Sequence, residues 1–203
     1  MSAMLGPRSG RRGLLWRASE SAAERCRKLA LVYWRTGRPR LAIATLEAAL
    51  KAGVTQGEVV LKLGQYLAES GQPAQAISLL EGRSADDPDA LIVLGNAYAY
   101  AGRLTDAART FSRVLSLNAD DPVAHENLGA IQLQQGEHVS AERSLRRAIA
   151  IDPGLAGAHT ALGVLLANTG RQAEAIAAWT RALELDPKDE NARHNLAAVR
   201  GKR

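Results

Sequence analysis

The sequence predicts an all-α solenoid of about five stacked helix pairs plus a C-terminal capping helix. Three observations predict it. A Leu-Gly dipeptide recurs at Leu94-Gly95, Leu128-Gly129 and Leu162-Gly163, 34 residues apart each time. Behind each dipeptide come a lone glycine (Gly102, Gly136, Gly170), a small residue (Ala107, Ala141, Ala175) and a large apolar one (Phe111, Leu145, Trp179). Within each copy the apolar residues keep helical spacing on both sides of the lone glycine, as in Leu91, Leu94, Tyr98 and then Leu104, Ala107, Ala108, Phe111, Leu115. A fixed period of this length means supersecondary units that bury their faces on one another.

Each copy therefore reads as helix A, a turn at the glycine, and helix B. Gly95 and Ala107 remove side-chain bulk where the two helices would cross, which permits a close approach. The pattern resembles the tetratricopeptide repeat, a helix–turn–helix unit of this period. Residues 173–187 (AEAIAAWTRALELDP) are similar to that family's helix B. The resemblance implies a right-handed stack in which the A helices line a concave groove.

The elements follow in order. Residues 1–19 are rich in Gly, Ser and Arg with no acidic residue. Their apolar run Leu14-Leu15-Trp16 is shorter than the roughly 7–15 residues of a secretory core. A flexible basic tail, with Trp16 folded back on the first pair, is the favoured reading, and an organelle transit peptide the alternative. The array is then expected over 20–203. Ser21-Ala22-Ala23-Glu24 reads as a capping box, opening a first repeat at 23–56 in which Pro39 starts helix B. The second repeat, 57–87, carries Leu63-Gly64, Gly71, Pro73, Ala76 and Leu80. After Leu80 the register slips, because Gly64 and Gly95 are 31 residues apart instead of 34. Gly82 is expected to end helix B about one turn early, with a change of curvature or a shallow notch there. A tolerated deletion is the favoured reading over a functional break.

Repeats at 88–121, 122–155 and 156–189 are regular. Asp87-Pro88 and Asp121-Pro122 each supply an N-cap and a proline for a helix A, while Asp152-Pro153 and Asp186-Pro187 close a helix B. Residues 190–200 form a last helix A, made polar by Arg193, His194 and Arg200. A terminal helix of this kind solvates the end of a stack, so the array is expected to finish there.

Charge argues about partners. The net charge is +5, yet Arg8, Arg11, Arg12, Arg17, Arg200, Lys202 and Arg203 stand at the two ends. Without those seven, 19 basic residues face 21 acidic ones. A nucleic-acid groove would need a basic stripe on the array itself, so no specific nucleic-acid role is expected. No apolar run approaches the roughly 20 residues of a membrane span, and a cytoplasmic location is expected. The lone Cys26 falls at a small apolar position of the first helix, which favours packing over reactivity.

No nucleophile elbow, phosphate loop or metalloprotease helix occurs, so a non-enzymatic protein with no cofactor and no metal is expected. His125 and His159 are 34 residues apart and hence equivalent. Packed helices lie about 8–10 Å apart, too far for two imidazoles to share a metal at about 2 Å, so both are expected to pack.

The resemblance points instead to the A helices as a binding surface for a protein or peptide. By register its groove presents Arg27, Leu31 and Trp34, then Leu61, Gln65 and Glu69, then Ile92, Asn96 and Tyr100. Glu126, Asn127, Ala130 and Gln134 follow, and finally Thr160, Val164 and Asn168. The peptide-binding set expected from these is Gln65, Ile92, Asn96, Tyr100, Glu126, Asn127, Gln134 and Asn168. Asn96 and Asn127 are plausible clamps, since an amide side chain donates and accepts at once. Solvent-facing polar residues without a ligand are the other reading. Family members that hold a chaperone's C-terminal carboxylate use a Lys, two Asn, then a Lys and an Arg. Asn96 and Asn127 match the two Asn, but Ile92, Gly157 and Ala161 stand where the cations belong, so no such clamp is expected. An Asn ladder before the Leu-Gly pair is matched at Asn127 and Asn195 and missed at Val93 and Ala161. The expected function is an adaptor or scaffold holding a peptide segment or partner helix. The alternatives are a regulatory or oligomerising module of a larger enzyme, and an array tethered to a polyanion by residues 1–19.

Overall fold

The computed structural model describes residues 21–55, 57–82 and 87–200. The basic segment 1–19 with Trp16 lies outside the described residues, as do residues 83–86 in the stretch where the register slips. Eleven helices and no strand are found among the described residues: α1 (Ala22–Arg35), α2 (Pro39–Lys51), α3 (Gly57–Glu69), α4 (Pro73–Leu80), α5 (Pro88–Tyr100), α6 (Leu104–Leu117), α7 (Pro122–Gln134), α8 (His138–Ile151), α9 (Ala156–Asn168), α10 (Gln172–Leu185) and α11 (Glu190–Arg200). They form five A–B pairs and a final A helix.

Local chemistry sets the ends. Ser21, Asp87, Asp121 and Asp189 each accept a first-turn N–H, at 3.2 Å from Glu24, 3.0 Å from Asp89, 2.8 Å from Ala124 and 2.9 Å from Ala192. The expected capping box closes on one side only, because the Glu24 carboxylate pairs with Lys28 at 3.1 Å. Prolines 39, 73, 88 and 122 stand in the first turn, where a missing N–H costs nothing. The A–B turns need a left-handed residue. Gly102, at φ 73°, lets Arg103 N–H reach back to Tyr98 O at 2.9 Å and close the helix end.

Within each pair, one contact repeats. Gly64, Gly95, Gly129 and Gly163 on the A helices face Leu80, Phe111, Leu145 and Trp179 on the B helices. A methyl group on Gly64 would stand 2.8 Å from Leu80, on Gly95 2.7 Å from Phe111, and on Gly129 2.7 Å from Leu145. In the first pair Ala30 and Leu46 hold the same positions, and both are fully buried. The missing side chain also frees a carbonyl: Trp179 Nε1 donates to Thr160 O at 3.2 Å across Gly163.

Between pairs, each B helix packs on the next A helix, and each A helix also packs on the next A helix. Successive B helices stand farther apart and meet through side chains, as where Arg146 on α8 pairs with Glu174 on α10 at 3.9 Å. A stack joined along its A helices and splayed along its B helices must curve with the A row inside, which makes the concave face. Trp34 and Tyr66 stack flat at 4.1 Å between centroids and fasten the first A helix to the second. Arg171, in the last A–B turn, donates to Glu142 on α8 at 2.8 Å and to Glu174 on α10 at 2.8 Å, linking two pairs at the surface.

The slip has a definite consequence. Helix α4 has eight residues against 13 or 14 in the other B helices, and Gly82 follows it at φ 82°. With that helix cut short, α3 and α5 pack on each other far more than any other two A helices. Tyr98 on α5 donates to Glu81 at 2.6 Å and so ties down the end of α4. Burial and this bond push the Tyr98 phenol up to about 12. A cavity of about 340 Å³, lined by Val60, Leu61, Leu80 and Ala90, opens beside the short helix. One pair along, Leu91, Val114 and Ala124 fill the corresponding space.

Two expectations follow. Gly95→Val forces Phe111 out of its place and lowers stability by about 2 kcal/mol, read as a fall in the urea midpoint. Tyr98→Phe lowers stability by about 1 kcal/mol, whereas Tyr66→Phe, which removes a buried hydroxyl with no partner, leaves the thermal midpoint unchanged or raises it.

Candidate functional site

The concave face carries two adjoining hollows. The larger, about 540 Å³, is bounded by α3, α5 and α7. Its floor is apolar: Ala68, Ile92, Val93, Ala99, Ala130, Ile131 and an edge of Phe111. Polar groups rise from it at Gln65, Glu69, Asn96, Asn127 and Gln134, and Tyr100 stands at the rim with 60% of its surface exposed. The second hollow, about 450 Å³, continues the groove toward α1 and shares Gln65, Ile92 and Val93 with the first. Its charges are mixed: Arg27, Lys28, Glu58, Lys62 and Asp89.

Helix geometry explains the convergence. Asn96 and Asn127 differ in register by three residues, yet α5 and α7 neighbour one another along the inner row, so both amides reach one hollow. Both are half-buried, and neither has a hydrogen-bond partner among the described residues. Gln65 is already engaged. It accepts from Lys62 Nζ at 2.8 Å and donates to Glu69 at 2.7 Å, forming a chain along α3.

Six of the eight sequence-predicted residues therefore line one hollow: Gln65, Ile92, Asn96, Tyr100, Asn127 and Gln134. Asn168 does not join them; it ends α9, exposed. Glu126 turns aside as well. Its carboxylate lies against the bare Cα of Gly157 in the first turn of α9, in the space a side chain there would take. Burial alone raises its carboxyl above the ordinary value. No hydrogen bond or ion pair holds it among the described residues. The apolar floor, Val93, Ala99 and Ile131 above all, escaped the sequence reading. The signal was present in the small or β-branched residues that flank each Leu-Gly pair on the inner row.

His125 and His159 are half-buried and engage backbone carbonyls. His125 Nε2 meets Ala119 O at 3.0 Å and His159 Nε2 meets Pro153 O at 3.2 Å, each closing the loop before its own helix. No group of three or more candidate metal ligands occurs among the described residues, and no helix there is long and apolar enough to cross a membrane.

The tetratricopeptide repeat pattern matches residues 27–90, 92–156 and 156–189. No curated protein matches the chain. Among solved structures, the chain is similar to TTC0263, a thermophilic TPR protein of Thermus thermophilus. The identity is 25%, the TM-score 0.77, and the match covers 88% of this chain and 98% of that one. It is similar to MamA at 26% identity and TM-score 0.61, over 83% of this chain and 96% of that one. YrrB, described as a TPR protein with an unusual peptide-binding site, shares the fold at 18% identity and TM-score 0.56, over 90% of this chain and 95% of that one.

The half-buried carboxylate gives a test. A carboxyl whose value is raised by folding destabilises the fold once ionised, and that loss disappears as pH falls through its folded value. Glu126→Gln is expected to melt at or above wild type at pH 7, with the difference gone below about pH 4. A lower midpoint at pH 7 would mean that the ionised group caps α9.

Proposed function

Because the chain belongs to the tetratricopeptide repeat family, whose arrays serve generally as protein-interaction scaffolds, we propose that it holds an extended peptide segment of a partner in the concave groove over α3, α5 and α7. One observation carries this reading. Asn96 and Asn127 are two half-buried amides without hydrogen-bond partners among the described residues, set over an apolar floor in a single hollow. A peptide backbone offers each of them an acceptor and a donor, and its alternate side chains reach the floor. Tyr100 adds a rigid, exposed aromatic at the rim, a residue type favoured at binding surfaces.

The same reading excludes a terminal-carboxylate ligand. The hollow holds one charged group, Glu69, and it is acidic. A free carboxylate would find no cation lining this hollow, and Lys62 at its edge already donates to Gln65 at 2.8 Å. The chain acts as a scaffold, performing no reaction of its own.

Phage-displayed random peptides selected on the full chain are expected to yield binders. Asn96→Ala combined with Asn127→Ala should raise their Kd about tenfold or more, since each lost hydrogen bond is worth about 1 kcal/mol. Titration calorimetry reads the change. Binders that tolerate both that pair and Tyr100→Ala sit elsewhere, and the groove reading fails.

A further inference from the structure

On the inner row of A helices, the half-buried Glu126 carboxylate has no hydrogen-bond or ion-pair partner among the described residues. Glu126 stands three residues before Gly129, and Gly157 stands six residues before Gly163. The same two register positions in the first two pairs are Arg27, three before Ala30, and Glu58, six before Gly64. There the two side chains form an ion pair across neighbouring A helices. At the fourth and fifth pairs a carboxylate, Glu126, stands at the Arg27 position and a bare glycine, Gly157, at the Glu58 position, so the charge there has no partner across the interface. Leaving a half-buried ion alone is costly unless something matches it, and nothing else among the described residues does.

The position also continues the groove. Of the register equivalents of Glu126, Arg27, Leu61 and Ile92 line the concave hollows, while Thr160 is buried and donates to Asp189 at 2.6 Å. Its sequence neighbour Asn127 lines the main hollow.

We infer that Glu126 is a specificity-determining residue that receives a lysine or arginine side chain of the bound peptide, supplied from the ligand at the place of the cross-repeat partner missing at Gly157. The inference rests on the peptide-groove reading above and names the charge of its ligand. A guanidinium or ammonium at this point gains a partly desolvated partner, and such pairs are worth more than pairs at the rim. An acidic residue in the same place is repelled, so the site selects by exclusion as well as by attraction.

The probe is the random-peptide library, selected separately on the full-length wild type, Glu126→Gln and Glu126→Lys, with a cooperative thermal melt confirming that each variant is folded. Wild type is expected to enrich peptides with one Lys or Arg at a constant offset from a shared core. Glu126→Gln should lose that preference and keep the core, and Glu126→Lys should replace it with Asp or Glu. In a selected peptide, exchange of the basic residue for norleucine should weaken binding to wild type about tenfold, against less than about twofold for Glu126→Gln. A wild-type consensus without a basic residue overturns the inference, as does a basic preference that survives Glu126→Gln. If such binders remain sensitive to Asn96→Ala with Asn127→Ala, the groove reading stands and this one alone falls. If no peptide is enriched on wild type, both fall.

Discussion

The contact between a small residue on the A helix of each pair, a glycine in four of the five, and a large apolar residue sixteen positions later governs this molecule. It occurs at Gly64 with Leu80, Gly95 with Phe111, Gly129 with Leu145 and Gly163 with Trp179. It sets how closely the helices of a pair approach, and so how much of each is left to meet the next pair. Leu80, Phe111, Leu145 and Trp179 are all buried, with at most 2% of their surface exposed. Burial of such a side chain stabilises by about 1.5–3 kcal/mol. Because these residues form a row, the stability of the array is the sum of near-identical local contacts.

The groove is a consequence of that geometry. Helices of one row whose backbones approach, facing helices of another row whose backbones stay apart, must bend toward the close side. Side chains along the inner row then converge on common hollows. Residues from α3, α5 and α7 thus share one surface although they are tens of positions apart in sequence. The apolar floor exists because that row must also pack pair against pair, so it cannot be wholly polar.

The short helix α4 shows how the array absorbs an irregularity. A three-residue loss removes the last turn of one B helix, and the neighbouring A helices close together in response. The Tyr98–Glu81 hydrogen bond secures the shortened end. Deletion here is accommodated by closer approach along the inner row, with a cavity left beside the shortened helix.

Residue spacing alone was enough to foresee helix pairs, turn glycines, proline starts and the early stop at Gly82, because each depends on interactions within a few residues of chain. The register also foretold that Gln65, Ile92, Asn96, Tyr100, Asn127 and Gln134 share a face, since equivalent positions in a stack point the same way. Three things depended on the assembled structure. Gln65 is engaged by Lys62 and Glu69, Glu126 lies against Gly157, and α3 closes on α5. Each is decided by rotamer choice or by the distance between neighbouring helices. Those quantities arise only when separate units are packed against each other, and a linear pattern of residue types does not encode them.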